Sequence, residues 1–188
     1  MERRDCLKRF TEMGVCAGAL SLLGLDGGRL QATPAPTDEL AAAKGQKEFL
    51  QNWLSDLLAT MDKVLDRETI ATLMEGCGRG CFERHKFKRD IAAAGKGDLD
   101  KLIAAYERNF EIWKQGEAVH IRYGRTSPGC YCPAANYRPP RADDPHCDCT
   151  RATHQAIFET ALERPFTVEV LESVRRGGVT CHFLVRPA

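Results

Sequence analysis

Several kinds of catalytic machinery are missing from this 188-residue chain. It has no Gly-x-Ser-x-Gly nucleophile elbow and no His-Glu-x-x-His metalloprotease motif. Gly76-Cys77-Gly78-Arg79-Gly80 is rich in glycine, but no strand precedes it and no Lys-Ser/Thr follows, so it is no nucleotide site. An excess of one charge is missing too, with 27 basic residues against 26 acidic. That balance leaves no electrostatic footprint for nucleic acid or anionic lipid. There is no internal repeat, and no hydrophobic run approaches the roughly 20 residues that span a bilayer.

What the chain does have is cysteine. Seven of its nine cysteines lie beyond residue 76. Six of these form close pairs, Cys77/Cys81, Cys130/Cys132 and Cys147/Cys149, and Cys181 stands alone. Thiols held this close bind metal, cycle as a redox couple or form structural disulfides.

The beginning of the chain bears on that choice. Residues 1–32 combine a short basic region, an apolar stretch tempered by Gly and Ala, and small residues before Pro34, which is the form of a secretion signal. The apolar run over residues 13–25 is too short to span a bilayer comfortably. Arg3-Arg4 followed by Leu7-Lys8 resembles a bacterial twin-arginine signal, although Glu2 stands where Ser or Thr is usual and Cys6 where Phe is common. A short amphipathic first helix is the alternative. The resemblance implies a periplasmic or otherwise exported protein, handled by the twin-arginine export machinery and folded with its cofactor before transport. Such thiols would already be occupied on reaching an oxidising compartment. Cleavage near Ala32 would leave one domain with no membrane span. Its 27 basic residues less five, and 26 acidic residues less four, balance at 22 each.

Residues 33–49 read as a linker and the start of a first helix, and residues 50–188 as a single cysteine-rich domain. Leu50, Trp53, Leu54, Leu57, Leu58, Met61, Val64 and Leu65 recur at a helical period that predicts core packing. Asp66 can cap a second helix whose inward stripe is Ile70, Leu73, Met74, Cys77 and Cys81. A third runs from Asp98 through Leu99, Leu102, Ile103, Tyr106, Phe110 and Trp113. Residues 118–123 then alternate as a strand, and residues 124–146 form a proline-rich loop long enough to be functional. Residues 150–163 read as a short helix, and residues 166–174 and 179–186 as a β-hairpin turning at Arg176-Gly177-Gly178. The class is α+β, with N-terminal helices packed on a late antiparallel sheet that ends in the hairpin.

On a helix, Cys77, Cys81 and His85 share one face, one turn apart. His85 sits among Arg84, Lys86, Lys88 and Arg89, as a surface residue would. Burial as ordinary small residues is the bland alternative for the two cysteines. Gly78 and Gly80 argue otherwise. Each costs about 0.8–1.0 kcal/mol in a helix relative to Ala, which points to close approach of a ligand, loop or cluster. Both thiols of a Cys-x-Cys on an extended segment project to one side, about 6.5–7 Å apart at the backbone. They can then share a metal at about 2.3 Å. A disulfide within Cys-x-Cys would be strained and easily reduced, whereas bridges between pairs remain open. Cys149 just before a helix would have its pKa lowered by the dipole.

The leading expectation is a thiolate-bound metal ion or cluster held by Cys77, Cys81, Cys130, Cys132, Cys147, Cys149 and Cys181. Zinc and an iron–sulfur cluster both take four cysteines. The alternative is a thiol-disulfide redox enzyme using one Cys-x-Cys pair. Trp53, Met74, Tyr106, Phe110 and Trp113 are core packing on the plain reading, or the lining of a pocket for a small apolar ligand.

The C-terminal third adds a resemblance. Cys147-Asp-Cys149, a helix with Phe158, Val168-Glu-Val-Leu-Glu-Ser173 and Arg176-Gly-Gly-Val-Thr-Cys181-His-Phe183 are similar to the end of the 4-vinyl-reductase-like small-molecule-binding domains. That family shares its fold with proteins of nitric-oxide sensing and Golgi transport. Over roughly residues 70–186, the cysteine layout also resembles a group of bacterial cysteine-rich proteins, some of them exported. The resemblance implies hairpin cysteines that bind zinc or line a hydrophobic pocket between helices and sheet. Cys181 matches one such position. Ser173 replaces a second cysteine, and Cys77/Cys81 and Cys130/Cys132 would supply substitutes.

Overall fold

The computed structural model describes residues 36–132, 135 and 137–188. The expected leader, with Arg3 and Arg4, lies outside them. The chain divides into two compact units after Glu39, and the architecture below is that of Leu40–Ala188. The helices are α1 (Pro36–Val64), α2 (Arg67–Arg84), α3 (Lys86–Ala94), α4 (Leu99–Tyr106) and α5 (Cys147–Leu162); the strands are β1 (Glu111–Gln115), β2 (Ala118–Arg122), β3 (Phe166–Glu172) and β4 (His182–Pro187).

Local chemistry sets the boundaries. The Asp66 carboxylate accepts from Thr69 N–H at 2.8 Å and starts α2. Asp98 accepts from the amides of Asp100 and Lys101 to start α4, satisfying donors that a helix start leaves without partners. The sheet runs β1-β2-β4-β3 and every pairing is antiparallel. β3 and β4 form the expected hairpin, whose connection carries a single 3-10 turn, Val174–Arg176, closed by Gly177 at φ +88°. That positive φ suits glycine.

Strand alternation sorts side chains to two faces. Val119, Ile121, Phe183, Val185, Val168 and Phe166 join Leu102, Tyr106, Ile157 and Phe158 in the core. On the opposite face Trp113 stacks on His120, with ring centroids 4.8 Å apart. His120 Nδ1 and His182 Nε2 share a hydrogen bond of 2.9 Å.

The α+β class and its late hairpin stand as expected, while three finer expectations are corrected. The helix beginning at Asp98 stops at Tyr106, so Phe110 sits in the following turn and Trp113 on β1. The apolar stripe of α1 is only partly covered: Leu50, Trp53, Leu57 and Val64 are exposed and Leu54, Leu58, Met61 and Leu65 half-buried, whereas Gln51 and Ser55 are buried. The last helix begins at Cys147, three residues before the predicted start. No described helix is long and apolar enough to cross a membrane.

Candidate functional site: two groups of thiols divided by one helix

Because α5 starts at Cys147, the second Cys-x-Cys is helical. Residues two apart on a helix point about 200° apart, so Cys147 and Cys149 leave opposite sides. The extended geometry expected of this pair is corrected by that helix. No disulfide joins any of Cys77, Cys81, Cys130, Cys132, Cys147, Cys149 and Cys181.

Cys147 turns toward the sheet. It is buried, and its Sγ lies 2.6 Å from Ser173 Oγ. Burial pushes its pKa up to about 11, while Cys181 and Cys130 add to the shift and Ser173 works against it. Burial also raises Cys181, which feels Cys130 and a Ser173 hydrogen bond. Cys130, Cys147, Cys181 and Ser173 thus form one inner group. Tyr123 borders it, and its hydroxyl meets His154 Nε2 at 3.0 Å. His154 Nδ1 in turn meets the Tyr106 hydroxyl at 3.2 Å. Burial drives the His154 pKa down to about 3, with a smaller effect from Lys88. A neutral imidazole has one donor and one acceptor nitrogen, so it links the two tyrosines by donating to one and accepting from the other.

Cys149 turns toward α2. Burial, with smaller contributions from Cys132, Cys77 and Cys81 and against Lys88, raises its pKa to about 12. The predicted lowering by the helix dipole is therefore corrected, because desolvation of the thiolate outweighs it. Gly78 explains how the helices come so near. A Cβ there would lie 2.2 Å from Cys149 O and 2.8 Å from Ala152 Cβ. The Thr153 hydroxyl ties the crossing together, lying 3.0 Å from Gly78 O and 3.1 Å from Cys149 O. The close approach expected of Gly78 is thus made by a helix. Gly80 would meet only the end of the Arg84 side chain. Lys88 Nζ reaches Cys81 Sγ at 2.9 Å. Cys77, Cys81 and Cys132 are thus the electrostatic neighbours of Cys149 and make up an outer group with it, in which Cys77 is exposed.

The long loop supplies one cysteine to each group, and a buried ion pair holds the loop. Arg175 Nε and Nη2 donate to Asp144 Oδ2 at 3.1 and 2.5 Å. The same guanidinium donates to the carbonyls of Arg138 and Pro139 at 2.6 and 3.0 Å. Burial opposes the Asp144 charge, but the His146 amide and Arg175 keep its pKa below the usual value. Arg138 also pairs with Asp62 of α1 at 2.7 Å. His146, next to this network, is buried with both ring nitrogens unpartnered among the described residues.

Among the described residues, no three His, Cys, Asp or Glu side chains converge as a site for a single metal ion. Cys147 and Cys149, on opposite sides of α5, offer the redox alternative no ready couple. The five apolar candidates disperse: Tyr106 and Met74 are buried, Trp53 and Trp113 are exposed, and Phe110 packs on Tyr123 at 4.6 Å. His85 is exposed. Tyr123 and His154 were not among the residues singled out from sequence; Ser173 was read only as the replacement of a cysteine, and Lys88 only as part of a basic run. His154 follows Cys147 by seven residues, two helical turns, so starting the helix at Cys147 would have exposed the relation.

No family model matches the sequence, and no curated protein does. Solved structures give the fold. The chain is similar to trafficking protein particle complex subunit 3 from Naegleria fowleri, solved covalently bound to palmitic acid. The identity is 12 % and the TM-score 0.52, over 77 % of this chain and 96 % of that one. A vinyl-4-reductase family protein from Methanocaldococcus jannaschii is a weaker match, with 11 % identity, a TM-score of 0.34 and coverage of 84 % and 85 %.

Proposed function

We propose that the chain is an exported, cysteine-rich metal-binding domain whose thiolates hold zinc or an iron–sulfur cluster. The observation that carries this reading is that α5 brings Cys149 against α2 at Gly78, where Cys132, Cys77 and Cys81 are electrostatic neighbours of its buried thiol. Burying several thiols together is unfavourable once they ionise, and a bound cation reverses that balance. Burial has already raised Cys149, so metal binding must displace its proton and will weaken as pH falls. Metal analysis and thiol counting on protein purified from the cytoplasm, without added metal or reductant, test the reading. Bound metal with protected thiols is expected. Metal-free protein with its cysteines in disulfides overturns it.

Export rests on Arg3-Arg4 and the apolar run behind them. Changing both arginines to lysine is expected to strand the precursor in the cytoplasm, and unchanged export rejects the twin-arginine route.

Small-molecule binding is a second reading, supported by the fold shared with the palmitate-bearing trafficking subunit. A surface groove of about 420 Å³ between α3 and α5 offers an apolar floor of Phe82, Ala92 and Ala93 beside Arg89 and Lys96. Native mass spectrometry with fatty acids tests it; a mass shift is expected, and its absence removes this reading.

A further inference from the structure

We infer that Cys81 and Lys88 are an oxidation site, joined through one oxygen atom as an S–O–N bridge when the chain meets hydrogen peroxide. The bridge goes beyond the metal-binding reading and belongs to the chain whose Cys81 thiol holds no metal.

The corner between α2 and α3 brings the two side chains together. α2 ends at Arg84, His85 is extended at φ −97° and ψ 108°, and α3 starts at Lys86. Lys88 is thereby returned to the last turns of α2, where its Nζ lies 2.9 Å from Cys81 Sγ. The neighbouring cations of α3 are engaged elsewhere. Lys86 pairs with Asp90 at 2.8 Å, and the Arg89 guanidinium donates to the Glu83 carbonyl. Both members of the Cys81–Lys88 contact are half-buried, which leaves the pair open to an oxidant as small as peroxide.

Sulfenic acid, the first product of thiol oxidation, condenses with a nearby thiol or nitrogen. The other thiol of α2 is poorly placed for it. Cys77 lies one turn from Cys81, with Cβ atoms about 5–6 Å apart, whereas a disulfide holds them at about 3.5–4.5 Å. Lys88 Nζ already stands at hydrogen-bond distance. Two single bonds bent at oxygen span nearly the same gap as that 2.9 Å contact, so the bridge closes with little movement of either helix.

The step balances with two molecules of peroxide. Sulfur gives up its hydrogen, the Lys88 amine gives up one, a single oxygen stays between them, and three waters leave. Thiol and amine together lose four electrons, two to each peroxide, and the ammonium proton passes to solvent. Two molecules of dithiothreitol reverse the step, returning the thiol, the amine and one water.

The experiment treats the full chain, freed of metal by a chelator, with hydrogen peroxide, alkylates the remaining thiols and digests the product with trypsin for mass spectrometry. Trypsin cuts after Arg84 and Lys86, so the peptides carrying Cys81 and Lys88 stay together only through a covalent link. A linked pair heavier than the two peptides by about 14 Da, one oxygen gained and two hydrogens lost, is expected, and dithiothreitol should release both peptides unmodified. Lys88→Arg keeps the charge but cannot close the bridge, so the linked pair should vanish while circular dichroism shows the native fold. Cys81→Ser should abolish it too. A Cys81 cross-link of the same mass shift in Lys88→Arg overturns the choice of Lys88. A linked pair lighter by two hydrogens is a direct S–N bond and overturns the inserted oxygen. Cys81 recovered reduced, as a sulfinic acid or in a disulfide, with Lys88 unmodified, overturns the bridge.

Discussion

Helices α1 and α5 invert the usual relation between polarity and burial. α1 carries Leu50, Trp53, Leu57 and Val64 on its surface and buries Gln51 and Ser55. α5 opens with Cys-Asp-Cys-Thr-Arg, yet buries Cys147, Thr153 and His154 beside Ile157 and Phe158. The difference lies in how each helix is supplied with partners. Every buried polar group named on α5 is matched, Cys147 by Ser173, His154 by two tyrosines and Thr153 by two carbonyls, so burial costs little. α1 is held at its far end by ion pairs from Asp62 to Arg138 and Arg141, with Leu50, Trp53, Leu57 and Val64 left uncovered and Leu54, Leu58, Met61 and Leu65 only half-buried. An apolar period shows which face would gain from a partner, but not that the chain provides one.

The largest expected effect tests whether α5 is the centre of the fold. Phe158 is fully buried and packs on Tyr106 and Phe166, with centroids 5.6 and 5.5 Å apart. Phe158→Ala should cost about 3–5 kcal/mol, read from the denaturant midpoint at constant m-value. A loss below about 1 kcal/mol would erase the contrast with α1.

Acid should act on α5 next. The folded pKa of His154 is depressed to about 3 from an ordinary 6.5. Its stabilising contribution is therefore present above pH 6.5 and is lost as pH falls through that window toward 3. The slope amounts to about 1.4 kcal/mol for each pH unit between the two values. Unfolding free energies measured from pH 7 to pH 4 should fall accordingly, with a flatter profile in His154→Asn. α1 has no histidine. A profile unchanged by the substitution would place the acid sensitivity elsewhere.

A smaller effect sharpens the role of the helix crossing. Gly78→Ala drives a Cβ into the Cys149 carbonyl and Ala152, and should cost about 1–3 kcal/mol. Gly76, one residue before Cys77, has nothing within 4 Å of its Cβ position, so Gly76→Ala should gain up to about 1 kcal/mol. Opposite signs from residues two apart on one helix would show that the crossing, and not helix propensity, requires glycine. Equal signs would reject the close approach.

The order of elements was legible because strand alternation, the Asp66 and Asp98 caps and the Gly177 turn are local signals. The face taken by α1 was not, since hydrophobic period alone names no partner. The division of the thiols was hidden for a sharper reason. Cys-x-Cys projects to one side when extended and to opposite sides when helical, and the helix start at Cys147 carries no side-chain cap hydrogen bond to announce it. Gly78 was the useful clue, because a costly residue beside Cys77 had to serve a close contact. Arg175 and Asp144 were beyond reach, as their pairing spans a proline-rich loop with no period of its own.

The smallest effect belongs to the exposed stripe. Trp53 is 55 % exposed, and its truncation removes surface that is largely hydrated in the folded and unfolded chain alike. Trp53→Ala should therefore change stability by no more than about 0.5 kcal/mol, far less than Phe158→Ala despite the larger side chain. Helix propensity favours alanine here by a few tenths, which adds to the expectation of near neutrality. Thermal unfolding at two protein concentrations tests it, because a stripe covered by another molecule makes the melting temperature depend on concentration. A substantial loss that grows with concentration would show that α1 hides its apolar face in solution as α5 hides its own, and the inversion between the two helices would disappear.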